Sequence, residues 1–162
     1  MAMQEQFSER NIRWVPFENY HMTQVFIGNT SPDGIEKIEK IVSNAITGIS
    51  SFDVSLGEPT LFPPDNEKKG VLIAAVHPND ALMALQSKLE HAFRAKGYEF
   101  VDRPYRPHVT IARLRRAKVA EEELPQFSMS MSSLVSQVHI YETHKEDGRV
   151  INSILRSIDI EN

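Results

Sequence analysis

Arg103-Pro104-Tyr105-Arg106-Pro107-His108-Val109-Thr110-Ile111-Ala112-Arg113-Leu114-Arg115-Arg116 is the stretch on which the reading of this chain turns. It holds the triplet His108-Val109-Thr110, then apolar residues, then a run of arginines. The same His-x-Thr pattern occurs earlier, at His21-Met22-Thr23, with Val25-Phe26-Ile27 behind it. Both triplets read as strand openings. Side chains two apart on a strand share a face. Each triplet therefore offers an imidazole beside a hydroxyl on one face, with the central residue turned away. If the two strands lie side by side, two histidines and two threonines line one groove.

Working outward, Ile12 to Val15 reads as a short extended piece stopped by Pro16, with Trp14, the single tryptophan, as a core plug. A strand is expected over Tyr20–Gly28. Ser31 is a candidate N-cap with Pro32 in the first helical position. Ile35, Ile38, Ile41, Val42, Ala45 and Ile46 then recur at helical spacing, up to Gly48. Phe52–Leu56 alternates as a half-buried strand and is interrupted by Gly57-Glu58-Pro59. Leu61-Phe62 leads to a turn at Pro63-Pro64-Asp65-Asn66. Val71–Val76 is an unbroken apolar run, as in a central strand. A second helix opens at Pro78-Asn79-Asp80, buries Leu82, Leu85, Leu89, Ala92 and Phe93, and closes at Lys96-Gly97. Beyond the arginines, Lys118–Glu123 is a charged loop or short helix and Phe127–Met131 alternates. Val135–Thr143 and Val150–Ile160 form a hairpin about Lys145-Glu146-Asp147-Gly148. Strands with two amphipathic helices predict an α+β domain. The strand and helix order repeats loosely around the two triplets, which predicts two similar lobes.

The chain has 162 residues, the size of one domain, and is 41% hydrophobic and 25% charged, a globular balance. Its formal net charge is −4, so bulk charge does not recruit nucleic acid. Contact with phosphates must come from a local patch, which Arg103, Arg106, Arg113, Arg115 and Arg116 supply. With no cysteine there is no disulfide, thiolate metal site or thiol nucleophile. No zinc spacing and no glycine-rich phosphate loop occurs, so neither a metal nor a nucleotide cofactor is expected. No membrane-length apolar run or signal-peptide core is present, and a cytoplasmic protein is expected.

The chemistry follows from the residue types. A neutral imidazole accepts a proton and an imidazolium donates one, both near neutral pH. Threonine hydroxyls bind phosphoryl oxygens without adding charge. Two histidines in opposite protonation states on either side of a phosphodiester could cleave it without metal or covalent intermediate. The same pattern also suits two buried histidines bonded to backbone, with threonines there for strand propensity, and the arginines also suit an ordinary charged face. His77, His91, His139 and His144 are poorer candidates.

Asn19-Tyr20-His21-Met22-Thr23 with Phe26-Ile27-Gly28, preceded by Arg13-Trp14-Val15-Pro16, resembles the first signature of the two-histidine phosphoesterases. Arg103 to Arg113 resembles the second. The nearest branch is the RNA 2′,3′-cyclic phosphodiesterases, historically called 2′-5′ RNA ligases, and the resemblance runs from about Ile12 to the C-terminus. It implies a bilobal α+β fold, two antiparallel sheets flanking a central groove with helices outside, as one domain over residues 1–162. It implies metal-independent hydrolysis of cyclic phosphates on RNA ends or nucleotides to 2′-phosphomonoesters. By residue match His21 is the general acid and His108 the general base, an assignment that could be reversed. Thr23 and Thr110 hold the non-bridging oxygens, and Tyr105, Arg106 and Arg113 join them in binding substrate.

Two departures from the family pattern stand out. Residues 1–11 are a shortened or atypical start where the family has a strand and a long helix. Gln24 stands where the family has an apolar residue, on the face away from His21 and Thr23. A homodimer through the N-terminal lobe, with Gln24 near the contact, is the expected remedy for an uncovered edge. Two other functions fit the same residues: an RNA- or nucleotide-binding protein with weak turnover, and an enzyme acting on a small cyclic nucleotide or an ADP-ribose product.

Overall fold

In a computed structural model, which describes residue 5 and residues 11–62, 70–114, 119, 121–124, 131–146 and 149–161, the chain builds two units from alternating segments. The first draws on residues 1–23, 55–77 and 105–132, the second on residues 24–54, 78–104 and 133–162.

The first unit is organised by a sheet. The sheet's strands are β1 (Ile12–Trp14), β2 (Phe52–Phe62, in this unit from Ser55), β3 (Val71–Val76), β4 (His108–Leu114) and β5 (Met131–Val135, in this unit to Ser132), in the order β1-β4-β3-β2-β5. The apolar run of β3 is the central strand, as its sequence predicts, and it pairs antiparallel with β2 and β4. One face of the sheet buries Leu61, Leu72, Ala74, Ala112 and Leu114 with Val119 and Leu124, and Ile12 and Trp14 pack against them. Trp14 is thus a half-buried part of the core. The register shifts between Leu72 and Ile73, where β4 carries one extra residue, Ile111. That bulge lets Ile111 and Ala112, adjacent in sequence, both be buried.

Strand β2 differs from its sequence reading. Gly57-Glu58-Pro59 does not interrupt it; the strand runs through, with its register shifted between Leu56 and Pro59. Proline has no N–H to give a ladder, so a bulge is where it can sit. Gly57 allows a close approach: a Cβ there would stand 3.3 Å from two ring atoms of His77 and 3.4 Å from the Ala75 carbonyl oxygen.

The expected strand over Tyr20–Gly28 is absent, and only an isolated antiparallel bridge, Met22 to Val109, remains of it. The chain pairs with one edge of β4 through β1, extended by Val15 N–H donating to the Ile111 carbonyl at 2.8 Å. It then leaves that edge at Pro16, makes a single 3-10 turn over Phe17–Asn19, and returns to the same edge at Met22. After Thr23 it passes into the second unit, so pairing cannot propagate.

The second unit holds α1 (Gly34–Ile46), α2 (Asp80–Arg94) and the antiparallel pair β6 (Gln137–Glu146) and β7 (Arg149–Asp159). Its core joins Ile38, Ile41, Val42 and Ile46 of α1, Leu85, Leu89 and Phe93 of α2, and Ile49, Ile140 and Ile160. Helix α1 starts later than expected. Ser31 and Pro32 form a turn, their carbonyls accepting from Gly34 and Ile35, and the position before the helix belongs to Asp33, without a side-chain cap. Helix α2 follows its sequence closely: Asn79 Oδ1 accepts from Leu82 N–H at 2.9 Å, a standard N-cap, and Gly97 takes φ +85 just past the end. The expected turns at residues 63–66 and 147–148, the alternation over 127–130, most of 115–120, and the N-terminal segment apart from Glu5 and Asn11 lie outside the described residues. Among the described residues no helix is long and apolar enough to cross a membrane.

Candidate active site

All seven residues singled out in the sequence belong to the first unit: His21, Thr23, Tyr105, Arg106, His108, Thr110 and Arg113. The Met22–Val109 bridge joins the central residues of the two triplets in antiparallel sense. Its register sets His21 opposite Thr110 and Thr23 opposite His108. Residues directly opposite on an antiparallel pair have Cβ atoms about 4.5–5.5 Å apart. Each imidazole is therefore set beside the hydroxyl of the other triplet, and the four side chains form a cross with the two histidines on one diagonal. Only the second triplet opens a strand, β4, yet this one bridge suffices to bring the triplets together.

Both histidines are held in the same way. His21 Nδ1 lies 2.8 Å from the Asn19 carbonyl oxygen, and His108 Nδ1 lies 2.7 Å from that of Arg106. A carbonyl only accepts, so Nδ1 carries the proton in both rings. The second nitrogen of each ring, Nε2, carries a lone pair when the ring is neutral and an N–H when it is charged. In each case the partner is the carbonyl two residues earlier, so one local backbone device is used twice.

Other groups fix the surroundings. Phe62 stacks on His108 with ring centroids 5.6 Å apart and planes 21° apart, which limits rotation of that imidazole. Tyr105 donates its hydroxyl to the Thr23 carbonyl at 3.2 Å, tying the loop before β4 to the first triplet. Arg106 contributes its carbonyl to His108, while its side chain is exposed. Arg113 is exposed on β4, cross-strand from Arg13 on β1 and Val71 on β3.

Arg103 belongs to the second unit, and Arg115 and Arg116 lie outside the described residues; of the expected basic patch, Arg106 and Arg113 are the members among the described residues of the first unit. Sequence reasoning missed Phe62 and the two carbonyls. A carbonyl carries no residue-type signal, and Phe62 is distant in sequence and carried by another strand. A cleft of about 570 Å³ lined by Glu36, Lys37, Lys40, Asn44 and Lys96 belongs to the second unit and holds none of these residues.

The fold is shared with solved structures. The chain is similar to TT0787 of Thermus thermophilus, with a TM-score of 0.82 at 17% identity, over 98% of this chain and 88% of that one. It is also similar to E. coli LigT complexed with 3'-AMP, with a TM-score of 0.80 at 20% identity, over 99% and 88%. The sequence matches the 2'-5' RNA ligase superfamily over residues 6–147, and the chain belongs to that family. It is 31% identical over 101 residues to the RNA 2',3'-cyclic phosphodiesterase of Bacillus subtilis (strain 168), covering 62% of this chain and 55% of that protein. Across the curated relatives of that name, the chain spans between 43% and 63% of their length.

Proposed function

We propose that this protein hydrolyses 2′,3′-cyclic phosphates at RNA ends to 2′-phosphomonoesters. The observation that carries the reading is the antiparallel bridge between the two His-x-Thr triplets, with both imidazoles bonded through Nδ1 to backbone. Relatives of the family that bear the name RNA 2',3'-cyclic phosphodiesterase support the substrate class.

In this reading His108 Nε2 takes a proton from water as the water oxygen attacks phosphorus. The bond from phosphorus to the 3′-oxygen breaks, and His21 Nε2–H delivers its proton to that oxygen. Thr23 and Thr110 donate to the non-bridging oxygens without adding charge. Arg106 and Arg113 offer guanidinium groups to the phosphate or its neighbours, and Tyr105 completes the binding wall. The acid and base roles are exchangeable by geometry, since each ring presents the same nitrogen.

Incubation with an oligoribonucleotide ending in a 2′,3′-cyclic phosphate, in the presence of chelator, tests this. A 2′-phosphate end is expected. Tight binding without turnover would instead favour a binding protein of the same fold, and preference for free cyclic nucleotides or an ADP-ribose product would narrow the substrate.

A cytoplasmic site of action and a homodimer belong to the same reading. The three-residue edge strand β1 is the natural place for a second copy to pair. Gln24, half-buried, belongs to the second unit, so the contact would be centred on β1 instead. A monomer by light scattering at tens of micromolar would end the dimer proposal.

A further inference from the structure

We infer that Arg13 and Arg113 form a second anion subsite, which holds the phosphodiester one nucleoside upstream of the reacting cyclic phosphate. The inference rests on the activity proposed above. It follows from the register of the sheet. Arg13 and Arg113 are direct cross-strand partners, and partners in an antiparallel pair point to the same face. Val71 pairs with Arg113 and also with Phe62, so Phe62 shares that face. Thr60 pairs with Ile73, which pairs with Thr110, and Ala75 pairs with His108. All these side chains lie opposite the Leu61, Leu72 and Ala74 core face. The arginine pair and the two residues of the second triplet therefore occupy one surface.

The spacing suits a nucleotide chain. Because Ile111 is bulged, Thr110 and Arg113 stand on the rungs of Ile73 and Val71, two residues apart on β3, which at about 3.3 Å per residue places Arg113 roughly 7 Å along the sheet. Phe62 spans that interval: its backbone is on the rung of Arg113, while its ring stacks on His108. A phosphate bound at the triplets leaves its own nucleoside to cross this interval. The next phosphate then arrives at the arginines.

The charge is local. The chain carries a net charge of −4, yet it sets two guanidinium groups directly opposite each other. Like charges in that position are unfavourable by themselves and become favourable when an anion lies between them. Arg13 is half-buried and already makes a contact of its own, but a guanidinium has five N–H donors in a fork that fits phosphate bidentately. The mononucleoside 2′,3′-cyclic phosphate has no upstream phosphodiester, so the subsite distinguishes an RNA end from a free cyclic nucleotide.

The test compares adenosine 2′,3′-cyclic phosphate with the dinucleotide adenylyl-adenosine 2′,3′-cyclic phosphate, in wild type and in Arg13→Gln and Arg13→Lys. The wild type is expected to favour the dinucleotide in kcat/KM. Arg13→Gln should reduce that preference by on the order of tenfold, the size of one charge-assisted hydrogen bond. Arg13→Lys, which keeps the charge but loses the fork, should fall between. The salt slope for dinucleotide binding should drop by about 0.7 for one lost phosphate contact. An equal loss on both substrates, or an unchanged preference in a folded Arg13→Gln protein, overturns the subsite. If the wild type turns over neither substrate, the activity reading fails. The same variants are then compared by equilibrium binding of the two molecules, and the dinucleotide preference must still fall in Arg13→Gln for the subsite to stand.

Discussion

His21 and His108 were legible as candidates, and the physical reason is the triplet itself. A histidine and a threonine two apart on extended chain share a face whatever follows. What the sequence could not display is which nitrogen each ring would present. That depends on the carbonyls of Asn19 and Arg106, and every residue but proline has the same backbone groups. Because Nδ1 of both rings is committed to backbone, Nε2 is the nitrogen that moves protons in the proposed reaction, and replacing either histidine by alanine should remove one proton-transfer partner. Each change should lower kcat by about 10²–10⁴, and each should erase one limb of the bell-shaped pH profile. A variant losing activity but keeping both limbs would show that its histidine only maintains structure. Phe62 carries a second expectation at this scale. Its ring touches an imidazole rather than a reacting atom, so it positions. Phe62→Leu keeps an apolar side chain but frees His108 to turn. kcat should fall by up to about 10²-fold, as for a misplaced group. On adenosine 2′,3′-cyclic phosphate KM should stay nearly constant, and steady-state kinetics separate the two parameters.

At the scale of elements, the readings that held are those dictated by composition and period. The run Val71–Val76 had to be covered on both faces, and it is the central strand. Both helices show the spacing of their buried residues in the sequence. The failures occur where tertiary pairing decides. Tyr20–Gly28 has the residues of a strand, but its path leaves the β4 edge after Thr23, and propensity alone cannot supply a partner strand. Pro59 reads as a terminator, yet a bulge absorbs it and β2 continues to Phe62. Helix α2 also carries a testable electrostatic device. Glu90 accepts from Gln86 Nε2 and Arg94 Nε, both at 2.8 Å, one turn to either side. The hydrogen bond from Gln86, then that from Arg94, holds its carboxyl below the usual range. A lowered pKa in the folded state means the ionised form is the stabilised one. The contribution is therefore complete above the unfolded value of about 4.3 and is lost as pH falls through the folded one. Since the side chain is partly solvated, Glu90→Gln should cost only about 0.3–0.5 kcal/mol at pH 7. Urea denaturation should show that gap closing in acid. A gap that widened in acid would contradict the assigned sign.

For the whole molecule, the α+β class and the existence of two parts were legible, because two triplets and two amphipathic helices recur in a similar order. Their assignment was not. The expectation of two similar lobes pairs one triplet with each, whereas both triplets belong to one unit and both helices to the other. The reason is that the chain crosses between units five times, and local pattern does not register a crossing. This division separates stability from chemistry. The core of the second unit contains Ile41, Leu89 and Phe93 and none of the candidate site residues. Ile41→Val removes one methyl group from a site 6% exposed and should cost about 0.5–1.5 kcal/mol; Leu89→Ala, at 2% exposed, should cost about 2–5 kcal/mol. For a chain of this size each kcal/mol lowers the melting temperature by roughly 2–4 °C. The two variants should therefore form a graded series in thermal unfolding. Assayed well below those temperatures, both should retain wild-type kcat on a cyclic-phosphate end, because the triplets are bonded to each other and to backbone within the first unit. A kcat that fell in step with stability, while circular dichroism still reported a folded protein, would mean that the chemistry also depends on the second unit.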